Sequence, residues 1–300
     1  MTSVSKPTPQ PGLDREEYIE QVYFFRVFRE RLLENLPAQE VLATIHEEVL
    51  STSRLPTVIE FLRGEVGLHG RLSQGMSLLP HYFTAFQTFV FQRAEEDRSK
   101  FDQLTALEIL QHEASYKAQG ATPAGLFVYQ FESISRNRLG YDRGMVAMAA
   151  DPHYAGSQWS DWILRARLQL GATDFGELIY RSSQQFVDDR RRIQGDSDWS
   201  PSHPVLFGSR EGRIARANLG KDPLYLFAAL QRQLGYPSVP RPKKETGLEQ
   251  QIPALQAKMS QLEKRIQLLE AETRGTLDLS QYYAKPADLP PASQTSFEGT

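Results

Sequence analysis

The chain has 300 residues, 40% hydrophobic and 24% charged, with a net charge of −3 and no cysteine. That composition predicts a folded protein with a sizeable core, and it excludes disulfides, thiolate metal sites and thiol catalysis. The 16 Phe, 12 Tyr and 3 Trp supply the apolar bulk, and the middle of the chain is only mildly basic, short of the excess usual in a nucleic-acid-binding domain.

Residues 1–12 hold Lys6 and three prolines with no apolar run. They predict a flexible arm and not a secretory leader. With cysteine absent as well, a cytoplasmic protein is expected. A mainly α, bundle-like body should then occupy residues 13–236. Asp14 and Glu17 are spaced as a capping box. Tyr18, Val22, Phe25, Phe28 and Leu32 follow with helical period, and Tyr23, Phe24 and Val27 widen the apolar face. A helix apolar on so many sides calls for neighbours on more than one of them.

A second helix is predicted from Ala38 to Thr52, and Pro56 opens a third through Val66. Gly64, Gly67, Gly70 and Gly75 suggest a loose connector. Residues Leu72 to Gln92 carry no Asp, Glu, Lys or Arg. Ser73, Gln74, Ser77, Pro80 and His81 make them too polar to span a membrane, so an aromatic-rich core helix is expected. From His81 to Gln119 there is neither Gly nor Pro. One long helix or two nearly collinear ones are expected, with the charged run Glu95 to Lys100 as the natural break.

Thr122 and Pro123 start the next helix, which Gly140 should stop. Short helices are expected after Asp142 and over Ser157 to Leu170. One more, capped by Thr173 or Asp174, should run to about Ile193. Val205, Leu206 and Phe207, then Gly208 to Gly212, then Arg213 to Ala217 read as two short strands around a turn, a β-hairpin within 204–217. Asp222 and Pro223 begin an amphipathic helix that Gly235 ends. Residues 237–247 read as a stiff basic linker rich in proline, and residues 275–300 as a disordered tail.

Between them, residues 248–274 carry a heptad pattern. Leu248, Ile252, Leu255, Met259, Leu262, Ile266 and Leu269 alternate spacings of four and three. Ile252, Met259 and Ile266 take the a positions and the leucines take d, a pattern that favours a parallel two-stranded coil. Lys258 and Arg265 fall at g, with Glu263 and Glu270 at e, so opposite charges meet across a parallel seam. Pro253 should mark the true helix start, leaving about 20 residues, a length marginal for an isolated helix.

No phosphate-binding, dinucleotide, nucleophile-elbow or HExxH motif is present. His46 with Glu47, and Glu108 with His112, are the candidate metal ligands of a helical-bundle enzyme, although Glu108 and His112 lack the Glu-x-x-His spacing of di-iron bundles. Arg190, Arg191 and Arg192 close a helix, where cations suit its dipole. With Arg210, Arg213 and Arg216 they are also the candidate phosphate contacts of a nucleic-acid-associated protein. No cofactor is called for. The leading expectation is a non-enzymatic interaction or scaffold protein that pairs with itself through the C-terminal coil and meets other proteins through its body.

Overall fold

The computed structural model describes residues 12–49, 52–96 and 101–241 and, beyond these, Met259, Leu262 and Ile266. The chain divides into two units, Met1–Pro242 and Lys243–Thr300. The expected N-terminal arm, most of the basic linker, most of the coiled-coil segment and the tail lie outside the described residues.

Helix α1 spans Arg15–Leu33. Asp14 sits at its N-cap position, but its side chain makes no capping bond. Glu17, the expected reciprocal partner, turns instead to α3 (Leu55–His69), where its Oε1 accepts the Arg54 backbone N–H at 2.9 Å. A buried carboxylate is well placed there, because unpaired N–H groups and the positive end of the dipole coincide at a helix start. Helix α1 is covered by α6 (Gln103–Ala118), by α2 (Ala38–Glu48) and by α3, as its broad apolar face requires. Phe24, Phe25 and Phe28 are fully enclosed; Phe24 and Phe25 meet Phe83, and Phe28 packs on Phe24. Burying each such ring contributes roughly 1.5–3 kcal/mol before entropy is counted.

The glycines after Leu62 do not form a connector. Helix α3 runs through Gly64 and Gly67, and α4 (Leu72–Leu78) contains Gly75. A Cβ on Gly75 would stand 2.8 Å from Leu62 Cδ2, so this glycine lets two helices approach closely. Glu95 then caps α4 from a distance, its two carboxylate oxygens accepting the N–H groups of Leu72 at 2.7 Å and Ser73 at 3.1 Å. The uncharged stretch from Leu72 to Gln92 is therefore two helices, α4 and α5 (Ala85–Ala94), the second closed by a Thr84–Gln87 capping box. Asp102 caps α6, so the break falls at the charged run as expected.

Helix α7 (Pro123–Asn137) is the centre of the body, with every residue from Gly125 to Ile134 buried. Around it come α8 (Tyr141–Ala149), a 3-10 turn at Pro152–Tyr154, α9 (Trp159–Gln169), α10 (Phe175–Arg181), α11 (Gln184–Gln194), α12 (Ser209–Ala217) and α13 (Pro223–Leu234). Phe127 on α7 collects Trp159, Trp162 and Phe207 at ring-centroid distances of 5.6, 5.0 and 6.1 Å.

Two expectations fail here. The helix foreseen from Asp174 to Ile193 is broken at Ser182 and Ser183, which belong to neither α10 nor α11. The β-hairpin does not exist, and no β-strand occurs among the described residues. Phe207 makes one isolated bridge to Ser183, with Gln184 N–H donating to Phe207 O at 2.9 Å and Leu206 N–H to Ser182 O at 2.8 Å. The second supposed strand is the end of α12. That helix buries Glu211, Gly212 and Ala215, a narrow face with no large apolar side chain. It packs against α10 and α11 so tightly that a Cβ on Gly212 would land on Ser183 Oγ and 2.7 Å from Gln185 Cβ.

The residues after α13 are fastened back onto the body. Tyr236 OH lies 2.6 Å from Glu132 Oε2, Tyr116 OH donates to Leu234 O at 3.0 Å, and Asn137 Nδ2 donates to Pro240 O at 3.2 Å.

Candidate functional site

The sequence-derived metal ligands are not gathered into one site among the described residues. Glu108 pairs with Arg29 at 2.8 Å, and His46 lies 3.9 Å from Glu47. His112 Nδ1 is 3.0 Å from Ser238 O. A carbonyl only accepts, so this nitrogen carries the proton. Among the described residues, no group of three or more His, Asp or Glu side chains is arranged to hold a metal ion.

The arginines separate as well. Arg191 Nε donates to Trp199 O at 2.9 Å, Arg213 Nε to the Ser209 carbonyl of its own helix at 3.4 Å, and Arg216 pairs with Asp189 at 2.6 Å. Arg192 and Arg210 are exposed. Arg190 alone of this set lines a groove of about 800 Å³, and there it joins Arg165 and Arg181.

Helical periodicity builds that groove from two facing stripes. On α9 it presents Trp162, Arg165, Ala166 and Gln169, and on α11 Phe186, Asp189, Arg190 and Ile193. Both sets follow the i, i+3, i+4, i+7 spacing of one helix face. Helix α10 adds Glu177, Leu178 and Arg181, and Ser202 with His203 close one side. The interruption at Ser182 and Ser183 matters here. It lets α10 and α11 diverge as separate helices, and Ser182 Oγ accepts the Trp162 indole N–H at 2.8 Å.

The acids of the groove are committed. Glu177 takes Arg181 Nε at 2.6 Å. Asp189 receives Tyr180 OH at 2.9 Å and Gln185 Nε2 at 3.0 Å, in addition to Arg216. Burial pushes the Asp189 carboxyl up, but these hydrogen bonds and the Arg216 charge outweigh it and hold the group below its ordinary range. Burial and the neighbouring Asp189 in turn push Tyr180 up. Two cations are left over. Arg165 donates only to the Asp161 carbonyl of its own helix, at 3.3 Å, and Arg190 lies 5.2 Å over the Phe186 ring. Neither has a carboxylate partner among the described residues.

A second charged cluster lies inside the body. Lys117 Nζ is 2.7 Å from Asp151 Oδ2 and 3.1 Å from Glu113 Oε1, with all three side chains sealed from solvent. Gln130 Nε2 bridges the two acids at 2.7 and 3.0 Å, and Tyr154 OH donates to Gln130 Oε1 at 3.0 Å. Burial raises Glu113 above its ordinary range, because Lys117 can compensate one of two adjacent carboxylates and not both. Burial alone would lower Lys117, but Asp151 and Glu113 outweigh it and hold the ammonium above its usual value. Glu113 Oε2 is buried without a hydrogen-bond partner. Glu113 and Lys117 stand i, i+4 on one helix, a spacing that does not by itself say the pair turns inward; Asp151, Gln130 and Tyr154 reach it only through the fold.

Of the coiled-coil residues, Met259, Leu262 and Ile266 are described. All three are helical and exposed, at 60%, 58% and 54%. Leu255, Lys258, Glu263, Arg265, Leu269 and Glu270 lie outside the described residues. Among those described, no helix is long and apolar enough to cross a membrane. No family model, curated protein or solved structure matches this chain.

Proposed function

We propose that this protein is a non-enzymatic interaction protein whose helical body is held as a pair by a parallel coiled coil of its C-terminal helix. The observation that carries the reading is the exposure of Met259, Leu262 and Ile266 on helical backbone. Their three- and four-residue spacing puts large apolar side chains on one seam, and such a seam is stable in water only when a facing helix covers it.

A second copy of the chain fits that seam best. Lys258 and Arg265 at g positions oppose Glu263 and Glu270 at e positions of a parallel partner, so the sequence is complementary to itself. β-Branched Ile266 at a with Leu262 at d selects two strands. The paired bodies would then offer two copies of every surface to a partner, which raises avidity without new contacts.

Light scattering tests this directly. Intact protein is expected at twice the mass of its own chain, whereas a version ending at Lys244 and full-length Leu262→Asp are each expected at the mass of a single chain. Intact protein at the mass of one chain, or Leu262→Asp still at twice its chain mass, would overturn the reading.

A further inference from the structure

We propose that the groove between α9, α10 and α11 is a binding site for a small organic oxyanion, a molecule that carries a phosphate or carboxylate group on an apolar frame. Three arginines from three helices line one groove. Folding alone gives no reason to gather them, since like charges in a shared concavity repel. Arg181 is neutralised by Glu177, and Asp189 is consumed by Arg216 and Tyr180. Arg165 and Arg190 have no carboxylate partner among the described residues, and Arg165 spends only its Nε, on the Asp161 carbonyl. A guanidinium fork matches the two oxygens of a phosphate or carboxylate, so the two together suit one oxyanion head.

The rest of the lining fits an organic body. Ala166, Leu178 and Ile193 supply apolar wall, and Phe186 supplies a ring already stacked by a cation. The volume, about 800 Å³, lies in the range of small-molecule sites. Size and charge also argue against nucleic acid. Two uncommitted arginines are few beside the six to ten phosphate contacts on which a nucleic-acid interface depends.

The test uses the full chain and three probes, AMP, phenylacetate and inorganic phosphate, followed by isothermal titration at low salt. AMP or phenylacetate is expected to bind at least tenfold more tightly than inorganic phosphate, because only these two also carry a ring to fill the apolar wall. Which of the two binds identifies the head group. Arg165→Ala with Arg190→Ala should weaken that binding at least tenfold, and Arg210→Ala, on an exposed arginine outside the groove, should leave it unchanged. Circular dichroism checks that the double variant is folded; should it not be, Arg190→Gln alone is expected to give the same loss. Failure of both organic probes to bind, binding that survives loss of the two arginines, or inorganic phosphate binding as tightly as either organic probe would each overturn the proposal. None of these outcomes depends on whether the chain pairs with itself.

Discussion

Lys117 is wedged between two carboxylates and shut away from water, whereas Arg165 and Arg190 line an open groove whose acids, Glu177 and Asp189, are paired with other arginines. The two regions use similar side chains to opposite ends. In the interior a charge is tolerable only when paired, so the fold surrounds Lys117 with acids, a glutamine and a tyrosine until little is left to offer a ligand. At the groove, water tolerates an unpaired guanidinium, and the charge stays free for something that arrives later. Compensation marks a structural site; its absence in a concavity marks a candidate binding site.

The largest break in this comparison is Lys117→Met. It leaves Asp151 buried without its cation and should cost about 3–5 kcal/mol in chemical denaturation. A loss under 1 kcal/mol would mean that the cluster is wetter than its burial suggests. Next comes Gly212→Ala, at the support of the groove. The added methyl has no room against Ser183 and Gln185, and a loss of roughly 1–3 kcal/mol is expected.

The pH dependence of the interior cluster sharpens the contrast further. Glu113 is raised by burial, so the folded chain holds its proton more firmly than the unfolded chain does. Its contribution to stability is complete below the ordinary glutamate range and is lost as pH rises through the folded value. Glu113→Gln cannot ionise. It should match the native chain in acid and gain on it steadily from about pH 5 upward, as melting temperatures across a pH series would show. A constant difference would remove Glu113 as the titrating group. The smallest effect belongs to the groove. Arg165→Ala should shift stability by no more than about 0.5 kcal/mol, since its only internal bond is to its own helix.

Sequence periodicity and capping chemistry placed most of the body. Helices α1, α7 and α13 were legible because each joins a polar cap or proline start to an apolar period. The misreadings share one cause, that small residues can mean either flexibility or close packing. Gly75 was taken for a loosener and is a contact against Leu62. The end of helix α12 looked like a strand because three arginines surround a buried face made of Glu211, Gly212 and Ala215, which has no apolar stripe to betray its period. The groove was legible only in fragments. Arg190 stood in a visible run, but Arg165 and Arg181 come from other helices, and their mixed stripes register as neither apolar nor polar faces. Lys117 went unseen for a related reason. Patterns assign charge to the outside, and only tertiary packing reveals a lysine turned inward.

The clasp formed by Tyr236, Leu234, Ser238 and Pro240 on α6 and α7 gives the molecule a clean seam for engineering. Every stitch of it precedes Pro242, so a graft beginning after Lys244 leaves it intact. A trimeric or tetrameric helix fused there would impose its own copy number on an otherwise native body. The body would thus serve as an exchangeable cartridge, its valency chosen by whichever helix follows.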